Sequence, residues 1–330
     1  MAPSTPKLEC LSTIEHYNSY DTLAPNNIST GLLATIYYPT LQKPYCEPQP
    51  YIDPELAAIL QPQSNHTLVF LSTITSTLHY NAPFLEGEAG RSGFPTLLFG
   101  PGGGGPPVEG NTILISELPF IRWPNGTGVG GVEIDFDDAE ILQAIYDTRL
   151  VDIGVILNYF PELVQRLGAP FNTTHIGSFR YSLGGAAAVS AIYNDDRLLP
   201  GLNPDGALVG RPTFNDIRAN AKKPVLFFGE ELHTGKDDMH DITLGTFPLW
   251  QTEYFGKILV NGTLHHDFCD YTFWETIEPT YLTTGPIDGN RQIEIMYAYV
   301  KGFLDFTLMG EKSPILSGPS PEGPVVIFYE

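Results

Sequence analysis

The stretch His175-Ile176-Gly177-Ser178-Phe179-Arg180-Tyr181-Ser182-Leu183-Gly184-Gly185-Ala186-Ala187-Ala188 decides how the rest of the chain is read. An apolar segment rises to Ser182, breaks, and continues into small residues suited to a closely packed helix. A strand, a sharp turn carrying serine and a helix together make a nucleophile elbow, which exposes a serine hydroxyl on a strained turn. The usual pattern is G-x-S-x-G. Here it reads Arg180-Tyr181-Ser182-Leu183-Gly184, with arginine where the first glycine belongs.

Working outward, Phe94 to Gly100 reads as a short apolar strand that runs into Gly102-Gly103-Gly104-Gly105. Glycines directly after a strand let backbone N–H groups approach a ligand closely. A phosphate-binding loop would close on Gly-Lys-Ser/Thr, and Pro106-Pro107 follows instead, which excludes that reading. One N–H of this run and the N–H of Leu183 are the candidate donors to an oxyanion. Asp135, Asp137, Asp138 and Glu140 read as caps of a helix over Ala139 to Phe160, in which Arg149 and Asp152 are spaced to pair. Helix-like spacing also covers Ile52 to Leu60 and His66 to His79. After the elbow, a helix to about Asn194 is followed by strands over Asp205–Gly210, Pro224–Gly229 and Lys257–Gly262, and a helix over Arg291–Met309.

Short apolar strands alternating with helices predict an α/β fold with a mostly parallel central sheet covered by helices on both faces. No repeat or linker divides the chain, so one domain over 1–330 is expected, with 1–30 an irregular N-terminal extension.

The chain has 330 residues, 42% of them hydrophobic, enough for a sizeable core. Its net charge of −21 argues against nucleic acid or an anionic membrane surface as a partner. No apolar run is long enough for a transmembrane helix. Asn27, Asn65, Asn125, Asn172 and Asn261 begin N-x-[ST] sequons, yet the first residues lack the apolar core of a secretory signal. Secreted and cytoplasmic locations therefore both stay open. Cys10 and Cys46 are a candidate disulfide in the secreted case.

A serine needs a base to take its proton and an acid to orient that base. In α/β-hydrolases the three follow the chain order Ser, Asp/Glu, His. His233, His240, His265 and His266 lie after Ser182. His265 and His266 are placed best, in a loop after a late strand. Asp205, Glu230, Glu231, Asp237 and Asp238 are all candidate acids, and spacing does not choose among them. His233 and His240 with Asp237, Asp238 and Asp241 mimic a metal cluster but read as a solvated loop.

With these segments in view, the sequence from about Thr30 onward resembles the platelet-activating factor acetylhydrolase family, in its plasma/isoform II branch with fungal relatives. The oxyanion segment is matched by Phe94 to Gly102, and the elbow by Arg180-Tyr181-Ser182-Leu183-Gly184-Gly185-Ala186. The acid segment is matched by Asn203-Pro204-Asp205-Gly206, and the histidine segment by Gly262 to Asp270. The resemblance implies an α/β-hydrolase fold with Ser182, Asp205 and His265 as the catalytic set and Gly103 and Leu183 as oxyanion donors. It also implies hydrolysis of short acyl esters, such as the sn-2 acetyl of an ether phospholipid, with no metal or other cofactor. Arg180, Tyr181 and Phe268 are pocket candidates.

Two departures stand out: Arg180 at the elbow, and a segment 101–136 short of the strand and helix the family fits there. They motivate a rival reading, a relic or binding protein that keeps the fold without the activity. An acyltransferase or lactonase on the same residues is a third.

Overall fold

The computed structural model describes residues 5–10, 35–41, 49–52, 54, 57, 58, 61, 70–76, 79, 80, 82–85, 93–100, 102, 120–122, 128–130, 135, 137–233, 242–280, 284–320, 323 and 325–329. The backbone forms two compact units, 1–94 with 104–171 and 95–103 with 172–330.

The first unit holds a three-stranded sheet of β1 (Thr5–Cys10), β2 (Thr35–Thr40) and β3 (His79–Tyr80), in the order β2-β1-β3. The N-terminal segment is therefore not wholly irregular, since β1 pairs antiparallel with β2 along its full length. Pro6 lies opposite Pro39, and Pro39 is tolerated because β2 is an edge strand. The expected helix over His66 to His79 is reduced, among the described residues, to one turn at Phe70–Thr73. Thr73 Oγ1 donates to Phe70 O, and the chain turns extended at Thr75–Ser76. Within the 101–136 segment, Phe120–Arg122 and Gly128–Gly130 pair antiparallel. Thr112 to Ser116, the proposed remnant strand, lies outside the described residues.

Helix α1 (Ala139–Leu167) begins as expected, with Asp138 accepting from the N–H groups of Glu140 and Ile141. It continues past Pro161, where the sequence reading stops it, and ends at Gly168 in the left-handed conformation. The proline forfeits one backbone bond, which a long helix with many buried residues outweighs.

The second unit carries the main sheet. Its strands are β4 (Phe94–Gly100), β5 (Phe171–Arg180), β6 (Leu198–Pro204), β7 (Val225–Glu230), β8 (Phe255–Val260) and β9 (Val326–Phe328). Among the described residues the order is β9-β8-β7-β6-β5-β4. Strands β5 to β8 are parallel to their neighbours, and β9 closes the edge antiparallel. Thr96 bonds to Asn172 near the start of β4 and Tyr181 N to Gly100 O near its end, so β4 runs with β5.

Helices cover both faces. Gly201 of β6 looks toward Val189 and Ile192 at the end of α2 (Leu183–Ala191). Its neighbour Leu202 joins Phe228, Ile258 and Val260 in a core sealed by Ile295, Tyr299 and Phe303 of α4 (Gly289–Met309). A short helix α3 (Tyr271–Ile277) precedes α4. This is the mostly parallel, two-faced sheet the sequence predicts.

One strand differs. The sequence reading begins a strand at Asp205, whereas β6 ends at Pro204 and leaves Asp205 just beyond its C-terminal end. Pro200, Gly201 and Pro204 look like strand breakers. Pro200 falls in a shift of register between β5 and β6, where a missing N–H is tolerated.

Candidate active site

Three segments converge at the C-terminal ends of β5, β6 and β8, the edge where open parallel sheets bind their ligands. The first is the elbow. Ser182 has φ 55° and ψ −130°, outside the ordinary regions for a non-glycine residue. Its N–H donates to Pro204 O at 2.9 Å, while Tyr181 N reaches Gly100 O at 3.4 Å. The turn is thus held by strands on either side. Ala186 N donates to Ser182 O, starting α2, in which Gly184 to Ala191 are all buried. Gly185 must be small: an added Cβ would lie 1.9 Å from Asn203 Oδ1. Leu183 is the first residue of α2, so its N–H has no partner within the helix and is available to an oxyanion.

Arg180 leaves the elbow intact. It is 0% exposed, and its guanidinium lies against Gly100, where an added Cβ would come within 2.1 Å of Nη1. The glycine that the usual elbow carries before its serine is here replaced by arginine, and the strand-end glycine opposite makes the room.

The second segment is the acid turn. Asp205 also has positive φ, 53°, and its N–H donates to Phe228 O. Asn203, fully buried, closes the turn by accepting from Gly206 N and donating to Gly206 O, each at 2.8 Å. The third is the loop after β8. Gly262, at φ 82°, turns the chain, and Asp267 then clamps the loop beyond it. Its buried carboxylate accepts from Leu264 N, Gly285 N and Thr272 Oγ1. That clamp sets a short helical turn over His265–Phe268.

The result is a connected relay. His265 Nε2 lies 2.9 Å from Ser182 Oγ, and His265 Nδ1 lies 2.5 Å from Asp205 Oδ2. Tyr181 supports it, donating its hydroxyl to His265 O at 3.1 Å. Burial pushes the Asp205 carboxyl up, but hydrogen bonds from His233 and His265 outweigh it and hold it at about 2. Asp205 is therefore an anion at neutral pH.

Of the other predicted site residues, Gly103 lies outside the described residues, as do Asn27, Asn65, Asn125 and Cys46. Gly102 is described: it is buried, and an added Cβ there would sit 3.3 Å from Ser182 Cβ, so the glycine run does reach the elbow. Two pocket candidates become packing residues. Arg180 has no exposed surface, and Phe268 packs edge-on to Phe228 in the core. Asn172 caps its own turn by accepting from Thr174 N and His175 N, and Asn261 is exposed. Among the described residues, no group of three His, Cys, Asp or Glu could hold a metal ion, and no helix is long and apolar enough to cross a membrane.

Sequence reasoning missed His233. Read as part of a solvated loop, it is buried instead, with Nδ1 3.2 Å from Asp205 Oδ1. Asp237 to Asp241 lie outside the described residues. The available signal was position: His233 follows the end of β7 by three residues, beside the acid's own strand.

No family model matches the chain. It is 26% identical over 272 residues to a probable 1-alkyl-2-acetylglycerophosphocholine esterase of Arthroderma benhamiae, covering 74% of this chain and 68% of that one. It is 24% identical over 110 residues to the platelet-activating factor acetylhydrolase of Cavia porcellus, covering 33% and 24%. A solved ferulic acid esterase from Streptomyces cinnamoneus superposes with a TM-score of 0.77 at 21% identity, over 99% of this chain and 96% of that one. The chain has an α/β-hydrolase fold, and its sequence is similar to carboxylic ester hydrolases of the platelet-activating factor acetylhydrolase type.

Proposed function

We propose that the chain is a serine esterase for short acyl esters, of the kind represented by the sn-2 acetyl group of an ether phospholipid. The observation that carries this reading is the unbroken relay from Ser182 Oγ through His265 to Asp205. Ser182 attacks the ester carbonyl as His265 Nε2 takes its proton. Asp205 holds His265 Nδ1–H and stabilises the imidazolium that forms. The Leu183 N–H, with a donor from the glycine run at Gly103, receives the negative charge on the carbonyl oxygen. Such a donor is worth about 2.7–4 kcal/mol. His265 then protonates the leaving alcohol, and water repeats the sequence on the acyl-enzyme. One of the two observations behind the rival relic reading is weakened, because Arg180 neither displaces Ser182 nor breaks the relay; the other, the 101–136 segment, lies mostly outside the described residues. Should the chain be secreted, Asn261, exposed in the turn after β8, is better presented for a glycan than Asn172 among the described sequons.

The test is burst release of p-nitrophenol from p-nitrophenyl acetate, with labelling by a fluorophosphonate probe. Ser182→Ala is expected to abolish labelling and lower kcat on the order of 10⁴-fold or more. Undiminished turnover in that variant overturns the proposal.

A further inference from the structure

Asp205 carries two histidines. His265 takes Oδ2, and His233 takes Oδ1 together with the N–H of Glu230 at 2.8 Å. The two histidines are placed very differently. The His265 side chain is 42% exposed and faces Ser182, while that of His233 is 6% exposed. The His233 side chain is therefore almost wholly enclosed. Its place is fixed by its own backbone, with His233 N donating to Glu230 O, and by an edge-on contact with Phe227 at 4.9 Å.

We propose that His233 is a positioning residue, whose Nδ1–H fixes the plane of the Asp205 carboxylate so that Oδ2 stays aimed at His265. This rests on the esterase reading of Ser182, His265 and Asp205. The physical need is specific. The carboxylate torsion of an aspartate is broad and roughly two-fold, so one bond to Oδ2 leaves rotation free. Donors on both oxygens remove that freedom. An ionised carboxylate only accepts, which places the shared proton on His233 Nδ1. On Oδ1 the main-chain N–H of Glu230 shares this work with His233, so loss of His233 leaves that oxygen one of its two donors. A merely space-filling ring at 233 would pack on Phe227 equally well and leave catalysis unchanged.

The experiment compares His233→Phe, which keeps the ring and removes the donor, with His233→Asn, whose amide N–H sits near the Nδ1 position. Esterase kcat and KM and the rate of fluorophosphonate labelling are measured in each. His233→Phe is expected to lose about tenfold or more in kcat, with KM changed by less than about twofold, and His233→Asn to recover most of the loss. Equal activity in His233→Phe and the wild type, or no recovery in His233→Asn, overturns the inference. Where His233→Phe fails to fold, His233→Gln takes its place, because its amide reaches the Nε2 position instead. His233→Asn above His233→Gln supports the role, and equality overturns it. A wild type that neither turns over ester nor labels at Ser182 overturns the esterase reading and this inference with it. An active wild type with an unaffected His233→Phe overturns this inference alone.

Discussion

Ser182 and Asp205 sit at the ends of adjacent strands with nearly the same positive φ, 55° and 53°, and neither is glycine. They are held there by different means. At Ser182 the backbone does the holding: its N–H bonds to Pro204 O and its carbonyl starts α2. The Cα of Gly206 also presses close to that carbonyl, where an added Cβ would lie at 2.1 Å. The serine side chain is left with its bond to His265. At Asp205 the side chain does much of the holding, through Glu230 N–H, His233 and His265. On the esterase reading the difference has a reason: a nucleophile must keep its side chain available, so its strain is opposed by packing, whereas an acid must stay ionised while buried, so its strain is opposed by donors that also stabilise its charge.

Asp205→Asn breaks the second arrangement and leaves the first. The amide offers an N–H where one of the histidines needs an acceptor, and an uncharged partner no longer stabilises His265 as it takes the proton. On the triad reading kcat falls on the order of 10⁴-fold, while the elbow keeps its packing. Steady-state kinetics on p-nitrophenyl acetate checks this. Loss of less than about tenfold would show that Asp205 does not act through its charge.

Gly206→Ala strikes the backbone that the two turns share. It touches none of the three relay side chains but drives a methyl into the Ser182 carbonyl and onto Asn203 Oδ1. Backbone cannot swing away as a flexible side chain can, so the expected cost is on the order of 3 kcal/mol. Urea unfolding measures it, and the folded remainder should label poorly because the serine has moved.

The two turns were also unequally legible in the sequence. Ser182 was readable locally, because strand, serine and small-residue helix lie within one continuous stretch. Asp205 needed the family resemblance, since five acids competed and its strand was placed on the wrong side of it. Strand β6 hides behind Pro200, Gly201 and Pro204, and the tolerance of Pro200 depends on a register shift visible only between strands. His233 was hidden for a related reason. Its role comes from a contact with a residue 28 positions away, and no local pattern distinguishes a histidine folded inward from one in a polar loop. Arg180 looked like a defect because the glycine that accommodates it, Gly100, belongs to another strand.

Acid sharpens the comparison further, because only one of the two supports titrates. The Asp205 carboxyl is held below its ordinary value of 3.8, at about 2. Its contribution to stability is thus fully present above the unfolded value and is lost as pH falls through about 2. From pH 6 to pH 2 the wild type should lose about 2 kcal/mol that Asp205→Asn does not lose. Parallel urea titrations across that range measure the difference. Superimposable pH profiles would mean that the donors around Asp205 do not favour its charged form.

The smallest effect isolates the strain itself. Lys222 is a third non-glycine residue at φ 53°, exposed, with its N–H bonded to Asn220 Oδ1. No relay side chain depends on it. The left-handed conformation costs an ordinary residue roughly 1–2 kcal/mol, and glycine returns part of that through its larger unfolded-state entropy. Lys222→Gly should therefore gain about 0.5 kcal/mol with unchanged kcat. Ser182→Gly should gain a similar amount while losing all covalent labelling. Matching gains at the two sites would show that the elbow carries ordinary left-handed strain, opposed by packing alone. A much larger gain at Ser182 would mean that its ψ of −130° adds strain beyond that of the other two turns.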